Sequence, residues 1–200
     1  MIDLLVLVMI RLFCGPHVTF VSDLNDSKPR ILFANHNSLF DFLVIWASLP
    51  TRQREITRPA AARDYWTANP WRYFLAVHLF KAVLIERRHP TQDNNPLDDM
   101  LAVLDRERSL IIFPEGTRAT GEGIGPFQAG LYHLCRARPH IEAVPIYLAN
   151  LNRILPKGEF LPLPILSRVT FGVPLRLEDG ESRGDFLVRA QLAVAKLEEV

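Results

Sequence analysis

Short apolar runs alternate along this chain with longer stretches in which apolar positions recur every three or four residues. Runs rich in β-branched and aromatic residues predict strands near Val18 to Val21, Ile31 to Ala34, Ile56 to Ala61, Ala82 to Glu86, Leu110 to Phe113, Ile141 to Leu148 and Arg168 to Phe171. Helical spacing predicts helices near Leu39 to Leu49, Pro70 to Phe80, Pro96 to Arg106, Phe127 to Arg136 and Ser182 to Glu198. Such alternation predicts an α/β fold: a single domain with a mixed, largely parallel sheet flanked by helices on both faces. Ahead of it, Met1 to Gly15 reads as an N-terminal apolar helix interrupted by Asp3 and Arg11. A span needs about 20 predominantly apolar residues, so this helix is too short to cross a membrane. It also lacks the basic start and small-residue cleavage site of a signal peptide. It suits a helix lying in a membrane interface; a helix packed on the core and the remnant of a longer anchor are the competing readings. The expected organisation is a membrane-associating helix over 1–15 followed by one domain over 16–200.

Two strings interrupt this pattern with chemistry. In the first, Asn35 to Asp41 (NHNSLFD), His36 closes an apolar strand and Asp41 opens the helical run that continues through Phe42 to Trp46. Positions five apart on a continuous helix point in different directions, so the two side chains meet only if His36 sits in the turn and Asp41 in the first turn of the helix. A neutral imidazole held on one nitrogen by a carboxylate can take a proton from an alcohol with the other. The plainer reading is a capping box, Ser38 to Asp41, in which the carboxylate closes the helix start.

The second string, Phe113 to Arg118 (FPEGTR), follows the strand Ser109 to Phe113 and breaks it at the edge where ligands collect in open α/β sheets. Gly116 lets backbone approach a ligand, Thr117 offers a hydroxyl, and Arg118 offers a planar fork suited to phosphate. Glu115 either binds a substrate hydroxyl or neutralises Arg118. The plain alternative is an ordinary turn.

In this order, and separated by a basic and apolar stretch, the two strings resemble those of the glycerolipid and lysophospholipid acyltransferases, the group that contains 1-acyl-glycerol-3-phosphate acyltransferase. Val83 to Arg87 resembles the family segment whose arginine binds the acceptor phosphate, and Ala143 to Ile146 resembles the late strand ending in a proline. The resemblance spans about Arg30 to Pro174. It implies an O-acyltransferase domain that moves a fatty acyl group from acyl-CoA or acyl-ACP to a hydroxyl of a lysophospholipid, with 1-acyl-glycerol-3-phosphate the expected acceptor, in phospholipid synthesis. It further implies His36 as the base and Asp41 as its orienting acid. Arg87 and Arg118 would hold the acceptor phosphate, while Glu115, Gly116 and Thr117 shape the acceptor pocket. No metal and no cofactor beyond the thioester co-substrate are expected. One position departs from the family: its phosphate block usually opens with a glycine, and Lys81 stands there. Glycerol-3-phosphate, a lyso-ornithine lipid or another lysolipid are the alternative acceptors. A non-catalytic lipid-binding module is the alternative from another class, and retention of both His36 and Asp41 argues against it.

Composition adds a setting. The chain has 200 residues, nearly half of them apolar, enough for one sizeable core. Its net charge of +1 conceals an excess between Arg52 and Arg88, where eight Lys or Arg face only Glu55, Asp64 and Glu86. Either that face is solvated or it attracts anionic head groups, at up to about 1 kcal/mol per basic residue near the surface. Aromatics mixed with basic residues between Tyr65 and Phe80 suit a head-group interface or a core. A membrane surface is therefore an expected partner, reached peripherally or monotopically from the cytoplasmic face, and nucleic acid is not. Cys14 and Cys135 show no metal spacing and read as reduced thiols. The Pro-rich stretch Leu155 to Pro164 reads as a surface loop bordering a lipid groove.

Overall fold

The structure is a computed structural model that describes residues 7–8, 10, 15–38, 41–86, 95–118, 123–150 and 167–200. Seven strands form one sheet: β1 (His17–Phe20), β2 (Arg30–Ala34), β3 (Thr57–Ala62), β4 (Val83–Ile85), β5 (Ser109–Ile112), β6 (Glu142–Ala149) and β7 (Arg168–Phe171). Their order is β1-β7-β6-β2-β5-β3-β4. The block from β6 to β4 is parallel throughout, β7 pairs antiparallel with β6, and β1 follows β7. This is the mixed, largely parallel α/β sheet that the pattern predicts, with all seven strands close to their expected places.

β2 is the central strand, and all five of its residues are buried. Its side chains alternate between two apolar layers, as strand geometry requires. Leu32 and Ala34 enter the layer covered by α1 (Asp41–Ser48), with Val44, Ile45 and Ala47 of that helix. Ile31 and Phe33 enter the opposite layer, covered by α5 (Pro96–Leu104), α6 (Gly130–Ala137) and α7 (Arg183–Ala195). Burying Ile31, Leu32 and Phe33 contributes roughly 1.5–3 kcal/mol each. Helices thus cover both faces.

The connection from β2 to β3 passes β5, and that from β5 to β6 passes back over β2. Adjacent parallel strands whose connections leave in opposite directions open a crevice beyond their carboxyl ends. The two chemical strings follow β2 and β5, so the topology brings them together there.

Between β2 and β4 the chain makes more helix than the pattern predicts. Pro50, extended at φ −53° and ψ 148°, starts α2 (Thr51–Ile56), so β3 begins only at Thr57. Then come α3 (Arg63–Thr67), α4 (Pro70–Phe74) and a π-helical turn (Leu75–Leu79). Lys81 ends that run in the left-handed region, at φ 50°. A residue there turns the chain from the helix end into β4, and glycine does so without steric cost. The family's glycine at this place therefore has a backbone reason. Lys81 carries roughly 1–2 kcal/mol of strain instead.

At the amino ends of the strands, Arg30 is buried and its guanidinium binds Asp26 and Gln53. Ser109 Oγ accepts from the Arg30 amide at 2.9 Å and from Gln53 Nε2 at 2.7 Å. This polar cluster joins β2, β5 and α2, fixing their relative heights.

Most of the N-terminal helix expected over 1–15 lies outside the described residues; Ile10 packs into the layer under α1. The expected surface loop from Leu155 to Pro164 also lies outside them.

Candidate active site

His36 leaves the end of β2 in a turn built around a buried carboxylate. Asp41 is fully buried, and its Oδ2 accepts from the backbone amides of Asn37 (2.6 Å) and Ser38 (2.9 Å). The same oxygen lies 2.8 Å from His36 Nδ1. The capping reading and the orienting reading of Asp41 thus coincide on one atom. A carboxylate at Nδ1 selects the tautomer protonated there and leaves the Nε2 lone pair as the ring's acceptor. The ring stacks on Phe113, with centroids 4.2 Å apart, and remains 19% exposed toward a cavity.

Two further groups hold the turn. Asn35 is buried, its amide donating to Leu148 O at 2.9 Å and its oxygen accepting from Leu148 N at 2.8 Å. Asn35 continues the β2–β6 ladder by one rung with a side chain in place of backbone. Glu115 Oε1 accepts from the His36 amide at 2.8 Å, and its Oε2 accepts from the Gly125 amide at 3.0 Å. Neither of these bonds is legible in the sequence; the signal available there is only a polar residue within each string.

Gly116 has φ 76°, and its amide donates to Phe113 O at 3.0 Å, which closes the turn after β5. Thr117 is exposed, and half-buried Arg118 has no carboxylate partner among the described residues. His36, Glu115, Gly116, Thr117 and Arg118 together line one cavity of about 850 Å³, within the range of small-molecule sites. Arg87 lies outside the described residues. The structure therefore gathers six of the seven expected site residues around one crevice, Asp41 just behind His36.

Inward from this polar mouth the cavity is apolar. Ala60, Ile85, Met100, Ile112, Leu131 and Leu134 line it between the sheet and helices α5 and α6. The alanines of β3, Ala60 to Ala62, leave the space that larger strand residues would fill. Phe42, Tyr65 and Trp66 wall the side toward α1 and α3.

Among the described residues, the basic excess of the middle of the chain does not line this mouth. Arg58 and Lys81 join Arg106 and Arg108 around a separate cleft of about 470 Å³ near the start of β3. Burial and the neighbouring Arg108 push the Arg58 guanidinium below its ordinary pKa. The Cys135 thiol is pushed up to about 12 by burial, which makes it a core group and not a nucleophile.

The acyltransferase family model matches residues 16–149, well over half of the chain. The chain belongs to the acyltransferase family. Among curated members, the 1-acyl-sn-glycerol-3-phosphate acyltransferase of Limnanthes douglasii is 27% identical over 158 residues, covering 76% of this chain and 52% of that protein. The enzyme of that name from Cocos nucifera is 26% identical, covering 86% of this chain and 54% of that one. The human 1-acyl-sn-glycerol-3-phosphate acyltransferase alpha is 27% identical, over 66% of this chain and 45% of its own. The chain spans about half the length of these relatives. Among solved structures, the 1-acyl-sn-glycerophosphate (LPA) acyltransferase PlsC of Thermotoga maritima matches with a TM-score of 0.73. That match covers 98% of this chain and 80% of that one, at 18% identity, and shows a shared fold. Residues 150–200, including α7, lie beyond the family model.

Proposed function

We propose that this protein is an O-acyltransferase that moves a fatty acyl group from acyl-CoA or acyl-ACP to the free hydroxyl of a lysophospholipid, with 1-acyl-glycerol-3-phosphate as the acceptor, in phospholipid synthesis. The observation that carries this reading is the His36–Asp41 pair at the mouth of an apolar cavity with Arg118 on its rim. His36 Nε2 takes the proton of the acceptor hydroxyl while that oxygen attacks the thioester carbonyl carbon. The tetrahedral adduct collapses with cleavage of the carbon–sulfur bond, and the imidazolium returns its proton to the leaving thiolate. Asp41 holds the ring and balances its transient charge. Arg118 suits the acceptor phosphate, joined by Arg87, and the apolar cavity suits an acyl chain. A thioester arrives activated, so the reaction depends on alignment and proton transfer, and the reading calls on no metal or cofactor.

The reading also includes a membrane surface, reached peripherally or monotopically from the cytoplasmic face, where coenzyme A and carrier-protein thioesters are found. Its support is the run Trp71, Tyr73, Phe74 and Leu75, exposed on α4 and the π turn beside the cavity-lining Tyr65 and Trp66. Among the described residues no helix is long and apolar enough to cross a membrane.

The test offers purified protein a panel of lysolipids, glycerol-3-phosphate and both donor types, with products read by mass. Wild type should acylate lysophosphatidate, and His36→Ala should lose about 10²- to 10⁴-fold in rate while keeping its fold. A folded, fully active His36→Ala variant would overturn the mechanism. Binding of lysophosphatidate without product from either donor would instead identify a lipid-binding module.

A further inference from the structure

Beyond the segment that the family model matches, one side chain of the C-terminal helix reaches the loop that steadies His36. Gln191 of α7 uses both hydrogens of its amide, donating to Ile124 O at 3.0 Å and Gly125 O at 3.1 Å. Gly125 in turn donates its backbone amide to Glu115 Oε2, and Glu115 Oε1 receives the amide of His36. A network of four hydrogen bonds, the two from Gln191 in parallel, therefore links α7 to the peptide that carries the imidazole. We infer that Gln191 is a positioning residue for the active site, acting through Gly125 and Glu115 on the backbone of His36.

Three observations make this path more than a surface contact. Glu115 is buried, and among the described residues these two backbone amides, with no cation, hold its carboxylate. A buried carboxylate held this way turns toward whichever donors remain when one is withdrawn. The fit at Gly125 is also close: a Cβ there would lie 2.8 Å from Glu115 Oε2, so any larger residue requires that carboxylate to shift. Finally, the helix is anchored where it matters, since Ala190 and Val194, flanking Gln191, are wholly buried in the layer under β2. A fixed helix can hold the Ile124–Gly125 peptide against the sheet; a loose one could not.

This inference rests on the proposed acyl transfer for its catalytic readout, and a second readout is independent of it. Gln191→Met keeps the side-chain length and removes the donor, whereas Gln191→Lys restores a donor. Per folded molecule, and well below each variant's melting temperature, Gln191→Met should lower kcat about 10- to 100-fold with little change in either substrate's KM, as expected for displaced chemistry at an intact binding site. Gln191→Lys should recover most of the loss. Gly125→Ala should reproduce the kcat defect, and combining it with Gln191→Met should add little, because both act on the Glu115 carboxylate. Hydrogen exchange of the Gly125 and His36 amides should quicken in Gln191→Met whether or not the wild type acylates lysophosphatidate. A lower melting temperature with unchanged kcat per folded molecule would overturn the inference, leaving Gln191 a packing residue. Unchanged exchange at both amides would overturn it equally. An inactive wild type whose exchange pattern still responds to Gln191→Met would sink the proposed function and leave the path standing.

Discussion

In the proposed reaction Asp41 serves local folding and chemistry together. Its Oδ2 receives two backbone amides and the imidazole, whereas Oδ1 is buried with no hydrogen-bond partner among the described residues. Helix capping alone is worth about 0.5–2 kcal/mol. Asp41→Asn keeps an oxygen for the amides and removes the charge that favours the imidazolium. Its expected effect is therefore a loss of about 10²- to 10⁴-fold in turnover with a stability loss of no more than about 2 kcal/mol. Steady-state kinetics beside thermal melting would check this, and a sharp loss of stability with near-normal turnover would reduce Asp41 to a cap. His36 and Asp41 were legible in the sequence because their partnership is local, completed within one turn. Glu115 was legible as a site residue but not as the partner of the His36 amide, because that bond joins loops that follow different strands.

At the scale of elements, strand β3 and helices α5 and α6 decide how much room lies behind His36. Ala60 stands on the lining of the cavity and packs against the layer formed by Met100, Ile112, Leu131 and Leu134. A larger side chain there would occupy space that an acyl chain needs, at little cost elsewhere because the cavity is open at that point. Ala60→Leu should thus shift donor preference toward shorter acyl chains, lowering kcat/KM for long-chain thioesters at least tenfold against that for short ones. A panel of donors of graded length would measure it, and parallel changes at every length would place the acyl chain elsewhere. In sequence, Ala60 to Ala62 reads only as a weak strand. The space it leaves is enclosed by two helices, distant along the chain, that pack over the sheet beside it.

For the molecule as a whole, the proposed reaction needs a route by which a lipid acceptor reaches the crevice. Trp71 is 76% exposed, and Tyr73, Phe74 and Leu75 stand beside it. Phe42, Trp66, Phe80 and Trp46 link through edge-to-face ring contacts, so the element that presents the exposed aromatics is supported from beneath. Insertion of Trp71 and Phe74 at a head-group interface would bury apolar area worth roughly 1.5–3 kcal/mol per ring. Trp71→Ala with Phe74→Ala should accordingly weaken binding to anionic phospholipid vesicles at least tenfold. Turnover of a short-chain, water-soluble lysolipid should change much less. Sedimentation with vesicles would show it; unchanged partitioning would mean that this face is not the one that meets lipid. The aromatic stretch was visible in the sequence, but its division into buried Phe80 and exposed Trp71 was not, because the same residue types serve cores and interfaces alike.

The sequence by itself determined the strands and the pairing of His36 with Asp41. Each strand carries its own short apolar run, and a histidine five residues from a carboxylate can be read wherever a strand passes into a helix. Lys81, in the place of the family's glycine, stood out only as a departure; the left-handed φ that accounts for the glycine came from the structure. The strand order, the placing of β2 beside β5, the cavity under α5 and α6, and the path from Gln191 to His36 were decided only by the tertiary structure. The physical reason is range. Hydrophobic periodicity and capping act over a few residues, whereas hydrogen bonds such as Gln191 to Gly125, 66 positions apart, exist only after the core has closed around the sheet.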